Sequence, residues 1–260
     1  MAIYGVLGDI HGNREALEAV LARLDGEGVS QLLCVGDVVG YNADPDACAA
    51  ILHERGAVVI AGNHDLIGTG RLGFERCSNK AMHSLKRTRR CLAPATARWL
   101  CELPAHHLLE DAVLLTHGGV RDVQQYMTKP HHIAQNAAYL RADFPGRRIC
   151  FFGHTHEQKV FEVDGETVRE IPAQGSVVLD PGREYFVNPG SVDASRKRAH
   201  KQAEYAIFDS ARASVRFEQC SYDDGATETK AAAAGFRIDR WRDRLYDVQR
   251  RLVGPPFVES

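Results

Sequence analysis

Short apolar runs alternate with amphipathic stretches through the first two hundred residues, the rhythm of an α/β fold. Ile3–Leu7, Gln31–Val35, Ala57–Ile60, Ala112–Leu115 and Arg148–Phe152 are short enough to be buried strands. After the first run, Leu17, Val20, Leu21 and Leu24 recur at i, i+3, i+4 and i+7, which predicts a helix with one apolar stripe. Asp44-Pro45 opens a second helix, Cys48, Ile51 and Leu52 mark its buried face, and Gly56 ends it. Residues 71–104 read as two helices, broken near Pro94 and ended by Pro104.

From about Lys159 the spacing tightens into strands: Val160–Val163, Thr167–Ile171, Ser176–Leu179, Glu184–Val187, Glu204–Phe208 and Ser214–Glu218. Asp164-Gly165 is a hairpin turn between the first two. Parallel strands early and an antiparallel meander later predict two sheets packed face to face. The pattern divides the chain into a main domain, 1–220, and an extension, 221–260. The extension holds a helix at about 238–252 whose face carries Trp241, Leu245, Val248 and Leu252, expected to dock on the core. Pro255-Pro256 and the residues after them are expected to be loose.

Composition narrows the function. Of 260 residues, 32 are Lys or Arg and 34 are Asp or Glu, a formal charge of −2. That balance argues against a bulk-charge grip on nucleic acid or anionic lipid, so no stable nucleic-acid complex is expected. No apolar run approaches the ~20 residues of a membrane span. Asp9 and His11 follow the first strand with no basic region before it, unlike a secretion signal. The seven cysteines contain no Cys-x-x-Cys pair and read as reduced thiols. A cytoplasmic protein without membrane attachment is the expectation; oligomeric state stays open.

The candidate chemistry stands where the parallel strands end. Gly8-Asp9-Ile10-His11-Gly12-Asn13 follows the first strand, Gly36-Asp37 the second and Gly62-Asn63-His64-Asp65 the third. His117-Gly118-Gly119 follows the fourth, and Gly153-His154-Thr155-His156 the fifth. C-terminal strand ends converge on one crevice in open α/β sheets. Asp9, His11, Asp37, Asn63, His117, His154 and His156 bring carboxylate, amide and imidazole donors without thiolate. That set suits manganese, iron, zinc, nickel or cobalt better than calcium or magnesium. Within Asp9-x-His11 and His154-x-His156, i and i+2 side chains of an extended chain share a face, so each pair is expected to aim at one place.

Together these segments resemble the calcineurin-like metallophosphoesterase superfamily over about residues 3–192. Asn188-Pro189-Gly190-Ser191 is similar to a hallmark of its small prokaryotic branch, the YfcE-like or MJ-type phosphodiesterases. The resemblance implies a four-layer αββα sandwich of two mixed sheets flanked by helices, with two divalent ions at the C-terminal strand ends. Asp9, His11, Asp37 and His156 would hold one ion; Asp37, Asn63, His117 and His154 would hold the other, with Asp37 bridging. His64 would contact the phosphoryl group and protonate or stabilise the leaving oxygen. The implied activity is hydrolysis of a phosphodiester or a small nucleotide-type substrate by a hydroxide bridging the ions, with manganese the favoured metal. Two cations ~3.5–4 Å apart suit in-line displacement at phosphorus on chemical grounds as well. Alternatives are a phosphomonoesterase, a dinucleoside-polyphosphate hydrolase, or a catalytically silent protein-binding scaffold of the same fold, as a retromer subunit is.

The chain departs from the protein-phosphatase pattern Gly-Asp-x-x-Asp-Arg-Gly: Gly40 stands where the second Asp, the partner of the catalytic His, would be. A phosphoprotein phosphatase is therefore not expected, and Asp65 or a substrate phosphate is the remaining anion for His64. Lys86, Arg87, Arg89 and Arg90 form one basic cluster, and Arg196, Lys197, Arg198 and Lys201 another. A solvated face is the expectation for both. His106, His107, His131 and His132 lie outside the motifs and are not assigned to metal. Specificity is expected in loops 66–80, 119–130 and 192–203.

Overall fold

Period two sorts the side chains of each apolar run between two layers, so the strands are buried on both faces. Residues 2–194 and 201–253 are described by the computed structural model, with side chains as far as 248 in the last helix. In β1 (Ile3–Leu7), Tyr4 and Val6 join the core between the sheets, while Leu7 joins the core under the helices. β2 (Gln31–Cys34) divides Leu33 from Leu32 and Cys34 in the same way. In β6 (Ile149–Phe151), Ile149 and Phe151 face inward and Cys150 outward.

The remaining strands are β3 (Val58–Val59), β4 (His107–Leu109), β5 (Val113–Leu115), β7 (Gln158–Asp164), β8 (Thr167–Ile171), β9 (Ser176–Val178), β10 (Glu184–Pro189), β11 (Gln202–Asp209) and β12 (Ser214–Ser221). They form two six-stranded sheets, ordered β3-β2-β1-β11-β12-β9 and β4-β5-β6-β10-β7-β8. Both are mixed. β1 pairs parallel with β2 and antiparallel with β11, in the register Ile3↔Asp209; β6 lies parallel to both β5 and β10. Antiparallel strands are thus dealt into both sheets rather than gathered in one meander. The Asp164-Gly165 turn joins β7 and β8, with Asp164 opposite Thr167.

Helices α1 (Arg14–Leu24), α2 (Pro45–Glu54) and α5 (Pro94–Glu102) cover the first sheet; α6 (Pro130–Asp143) covers the second through Ile133, Ala137 and Leu140. This is the αββα sandwich. The predicted stripe of α1 is buried throughout. Between α2 and α5 come α3 (Asn63–Gly68) and α4 (Asn79–Cys91), whose Ala81 and Leu85 pack with Tyr41, Ile67 and Cys77 beside the strand ends.

The hydrophobic pattern does not single out α6, whose buried face includes the small Ala137 and the polar Asn136, nor the three-residue, partly exposed β4. It also passes over α7 (Asp224–Ala233), which is fastened to α1 by polar contacts: Thr227 Oγ1 donates to Asn13 Oδ1 at 3.0 Å, and Lys230 pairs with Glu15 at 2.5 Å and with Asp44. The final helix, α8 (Arg240–Val253), does not bury its apolar stripe: Trp241 is 70% exposed and Val248 51%. It meets α4 from another side, where Asn79 Nδ2 donates to Asp247 at 2.7 Å and Lys86 lies over Tyr246. The Leu252 side chain, Arg196–Arg198 and Pro255-Pro256 lie outside the described residues.

Candidate metal centre

Every one of the seven candidate ligands is buried, and all stand just past strand ends of the two sheets. Asp9 and His11 follow β1, Asp37 follows β2 and Asn63 follows β3; His117 follows β5, while His154 and His156 follow β6. The backbone turns sharply at these points: Asp9, His11, Asp37, His154 and His156 all have φ between 50° and 66°. Left-handed conformations cost an ordinary residue about 1–3 kcal/mol, and such strain gathers at functional sites. The i, i+2 pairs are therefore not extended, and their convergence differs from the expectation. Asp9 and His11 do share one cluster, but His156 joins them while His154 turns to Asp37 and His117.

Cross-loop hydrogen bonds fix this geometry. Asp9 N–H donates to Gly36 O at 3.0 Å, and His11 N–H to Asp37 O at 2.9 Å. His154 N–H donates to both Asp9 carboxylate oxygens at 3.0 and 3.2 Å, tying the second sheet to the first. Asp65 accepts from the N–H groups of Asp37, Gly62 and Val39, and burial beside the Asp37 carboxylate pushes it up to about 7. Gly62 is required sterically, because a Cβ there would lie 2.1 Å from Asp37 Oδ1.

The donor atoms face one another in two groups. His11 Nε2 and His156 Nε2 are 3.0 Å apart, with Asp9 Oδ1 3.3 Å from His156 and Asp37 Oδ2 3.7 Å from His11. His117 Nε2 lies 3.0 Å from Asn63 Oδ1 and 3.3 Å from Asp37 Oδ1. The Asp37 carboxylate thus turns one oxygen to each group, and that is what a bridging ligand must do.

The tautomers follow from the outer contacts. His117 Nδ1 donates to Val35 O at 2.7 Å, and His11 Nδ1 to Val39 O at 3.2 Å, so in the neutral ring each Nε2 presents a lone pair inward. Lone pairs of imidazole, amide and carboxylate facing one another at these distances repel unless a cation or a proton lies among them. A proton answers this at His117, which the Asp37 and Asp9 carboxylates raise to about 9 although burial opposes it. Burial likewise opposes charge on Asp9, yet His156 and His117 hold it down at about 2. His154 falls to about 3 through burial and His117, and its buried Nε2 has no hydrogen-bond partner. The residues fit a pair of borderline divalent ions.

His64 lies among them. Its ring centroid is 4.5 Å from that of His11 and 4.8 Å from that of Tyr41, and its donor atom groups with those of His11 and Asp37, all within 4.8 Å of one another. Gly40 explains this packing: a Cβ there would stand 2.4 Å from His64 Nδ1. The imidazole occupies the space an Asp side chain would need, packed against the His11 and Tyr41 rings and beside the Asp37 carboxylate. Asp65 is committed to the backbone, its two oxygens accepting from three N–H groups.

Several residues gain roles that the sequence does not assign, although Arg76, Lys80 and Tyr126 fall within loops 66–80 and 119–130, where specificity is expected. Asn188 donates to Gly153 O and Thr155 Oγ1, both at 2.9 Å, bracing the loop that carries His154 and His156. Ser191 Oγ donates to Asp9 O at 3.0 Å. The Asn188-Pro189-Gly190-Ser191 segment had no assigned role; it is a splint between ligand loops. Tyr41, Arg76, Lys80 and Tyr126 line a cavity of about 440 Å³ with Asp37, Asn63, His64 and His154. Arg76 joins the cavity's two rims by donating to Asp122 at 2.8 Å and to Gln124 O at 2.9 Å. Tyr126 sets its ring 4.1 Å from that of His154. No residue spacing signals Lys80 or Tyr126, but Tyr41 sits directly after the Gly40 that the pattern did mark. Among the described residues, His106, His107, His131 and His132 join no metal-competent cluster.

Comparison with known proteins places the fold among phosphoesterases. The metallophosphoesterase of Sphaerobacter thermophilus is 26% identical, with a TM-score of 0.75 over 94% of this chain and 97% of that one. The Pyrococcus horikoshii protein PH1004 has the same fold, with a TM-score of 0.69 over 94% of this chain and 97% of its own at 17% identity. The uncharacterized protein MJ0912 of Methanocaldococcus jannaschii is 26% identical over 85% of this chain and 88% of its own length. Residues 1–213 match the calcineurin-like phosphoesterase superfamily domain. That match takes in all seven ligand positions, and the chain belongs to the calcineurin-like phosphoesterase superfamily.

Proposed function

We propose that this protein hydrolyses phosphodiesters or small nucleotide-type phosphoesters with two divalent transition ions, manganese foremost. The observation that carries the reading is Asp37, whose Oδ2 lies 3.7 Å from His11 Nε2 and Oδ1 3.3 Å from His117 Nε2. Asp9, His11, Asp37 and His156 would hold one ion, and Asp37, Asn63, His117 and His154 the other. Such a pair supplies an activated water and neutralises charge on the phosphoryl oxygens.

The chain's own residues supply the rest. His64 lines the cavity beside Asp37 and Asn63, where it can contact a phosphoryl oxygen and deliver a proton to the leaving oxygen. Tyr41 and Tyr126 offer apolar faces to the leaving or retained organic group, and Lys80 and Arg76 offer cations to a second anionic group. A cavity of about 440 Å³ is within the range of small-molecule sites and favours a nucleotide-sized ester over a protein. The intact ligand set weighs against a silent scaffold. All seven cysteines are free, which supports a reducing, cytoplasmic setting. Among the described residues no helix is long and apolar enough to cross a membrane.

A hydrolysis panel tests this reading: aryl monoesters, aryl diesters, cyclic nucleotides and dinucleotides, each with Mn, Ni, Zn or Mg supplied to stripped protein. The expected result is diester or nucleotide cleavage, activated far more by Mn or another borderline cation than by Mg. Cleavage of monoesters alone, or equal activation by Mg, would overturn the substrate class or the histidine ligation respectively.

A further inference from the structure

The basic cluster at residues 86–90 is not a uniform solvated face. Arg89 has a structural role: it donates to Ile67 O at 2.6 Å and Leu72 O at 3.0 Å, and lies over the Phe74 ring. Lys86, Arg87 and Arg90 instead line a cavity of about 530 Å³ between α4 and α8. Arg242 and Tyr246 of α8 form the facing wall, and Gly235, after α7, accepts a hydrogen bond from His83 at its base. This space is separate from the metal cavity, which α4 enters at its other end through Ser78, Lys80 and Ala81.

Three features point to a ligand. First, Lys86, Arg87 and Arg90 form no ion pair among the described residues, although they stand within about one helical turn of each other. Second, α4 itself contains no acidic residue to relieve their repulsion, and the α8 carboxylates that reach α4, Asp243 and Asp247, meet it at Asn79. The negative helix C-terminus favours cations in the last turn, which accounts for Arg90 but not for Lys86 or Arg87; Arg242 of the facing helix is paired with Asp239 at 3.6 Å. Third, Lys86 Nζ lies 4.6 Å from the Tyr246 ring centroid, so an aromatic face adjoins the cationic floor.

We propose that this cavity binds a small polyanion with several linked phosphates, a nucleoside polyphosphate by chemical class, at a site distinct from the metal centre. A single monovalent anion would leave most of the cationic wall unneutralised, whereas linked phosphates bridge neighbouring cations and a base rests on Tyr246. The volume lies within the range of small-molecule pockets, which favours a free metabolite over a polymer.

The test is fluorescence polarisation with pyranine, a trisulfonated pyrene that no phosphoesterase can cleave, on the metal-loaded protein. Wild type should bind it, and ATP in excess Mg should displace it. In the double variant Arg87→Ala/Arg90→Ala the dissociation constant should rise about tenfold or more. The charge-matched control Arg23→Ala/Arg98→Ala should bind as wild type does. Thermal melting verifies folding, and Arg87→Gln/Arg90→Gln replaces the alanine pair if that pair melts early. Equal binding by all variants would overturn the site. So would displacement by a single-stranded oligonucleotide but not by ATP.

Discussion

His64 and Gly40 illustrate how one residue's chemistry depends on the atom count of another. Gly40 leaves room for the imidazole, which packs against the His11 and Tyr41 rings beside the Asp37 carboxylate. His64→Ala is expected to keep its metals and lose about 10²- to 10⁴-fold on substrates with poor, alkyl-type leaving groups. Its loss on nitrophenyl esters should be much smaller. Parallel leaving-group plots for variant and wild type would make His64 an electrostatic contact and not an acid. Gly40→Asp restores the protein-phosphatase residue, yet in this backbone its Cβ meets His64 Nδ1 at 2.4 Å, and φ is +137°. It should lower both the melting temperature and activity rather than create a His–Asp pair; a gain in turnover would contradict the packing argument. The ligands were legible because Asp, Asn and His in Gly-rich turns after apolar runs are rare and chemically coherent. Their left-handed φ values were not, since Asp and His, though enriched in that conformation, adopt it too seldom to announce it.

At the scale of elements, burial of a strand on both faces made the fold readable and edge features hard to read. β1, β2, β5 and β6 are continuous apolar runs because each feeds two cores, so pattern alone places them. β4, α6 and α7 escaped because their contacts are short, small or polar. The exposed stripe of α8 shows the converse error: amphipathic spacing predicts a helix but not what it packs on. The segment after β10 belongs to the same lesson, since its role is hydrogen bonding across loops and carries no periodicity. Asn188→Ala removes both donors that brace the His154–His156 loop. Loss of such outer contacts typically costs 10- to 100-fold in metal affinity. Titration of the stripped variant with Mn should show a weakening of roughly this size with the fold retained by circular dichroism. Unchanged affinity would mean that the splint supports only the loop's backbone.

Across the whole molecule, the two sheets are joined by the same residues that form the centre. The first sheet supplies Asp9, His11, Asp37 and Asn63; the second supplies His117, His154 and His156, and each proposed ion draws on both. Ion binding therefore fastens one sheet to the other and should stabilise the folded state. An ion at a thousandfold over its dissociation constant contributes about 4 kcal/mol, so chelation should lower the melting temperature by several degrees and Mn should restore it. A melting temperature indifferent to chelator would separate the sheets' packing from the metal. The central claim is that one carboxylate, Asp37, serves two ions. Metal analysis of purified Asp37→Asn beside wild type and Asn63→Ala tests it most directly. The account predicts two ions per wild-type chain, a selective loss of about one from Asn63→Ala, and depletion of both from Asp37→Asn. Full two-ion occupancy in Asp37→Asn would contradict it.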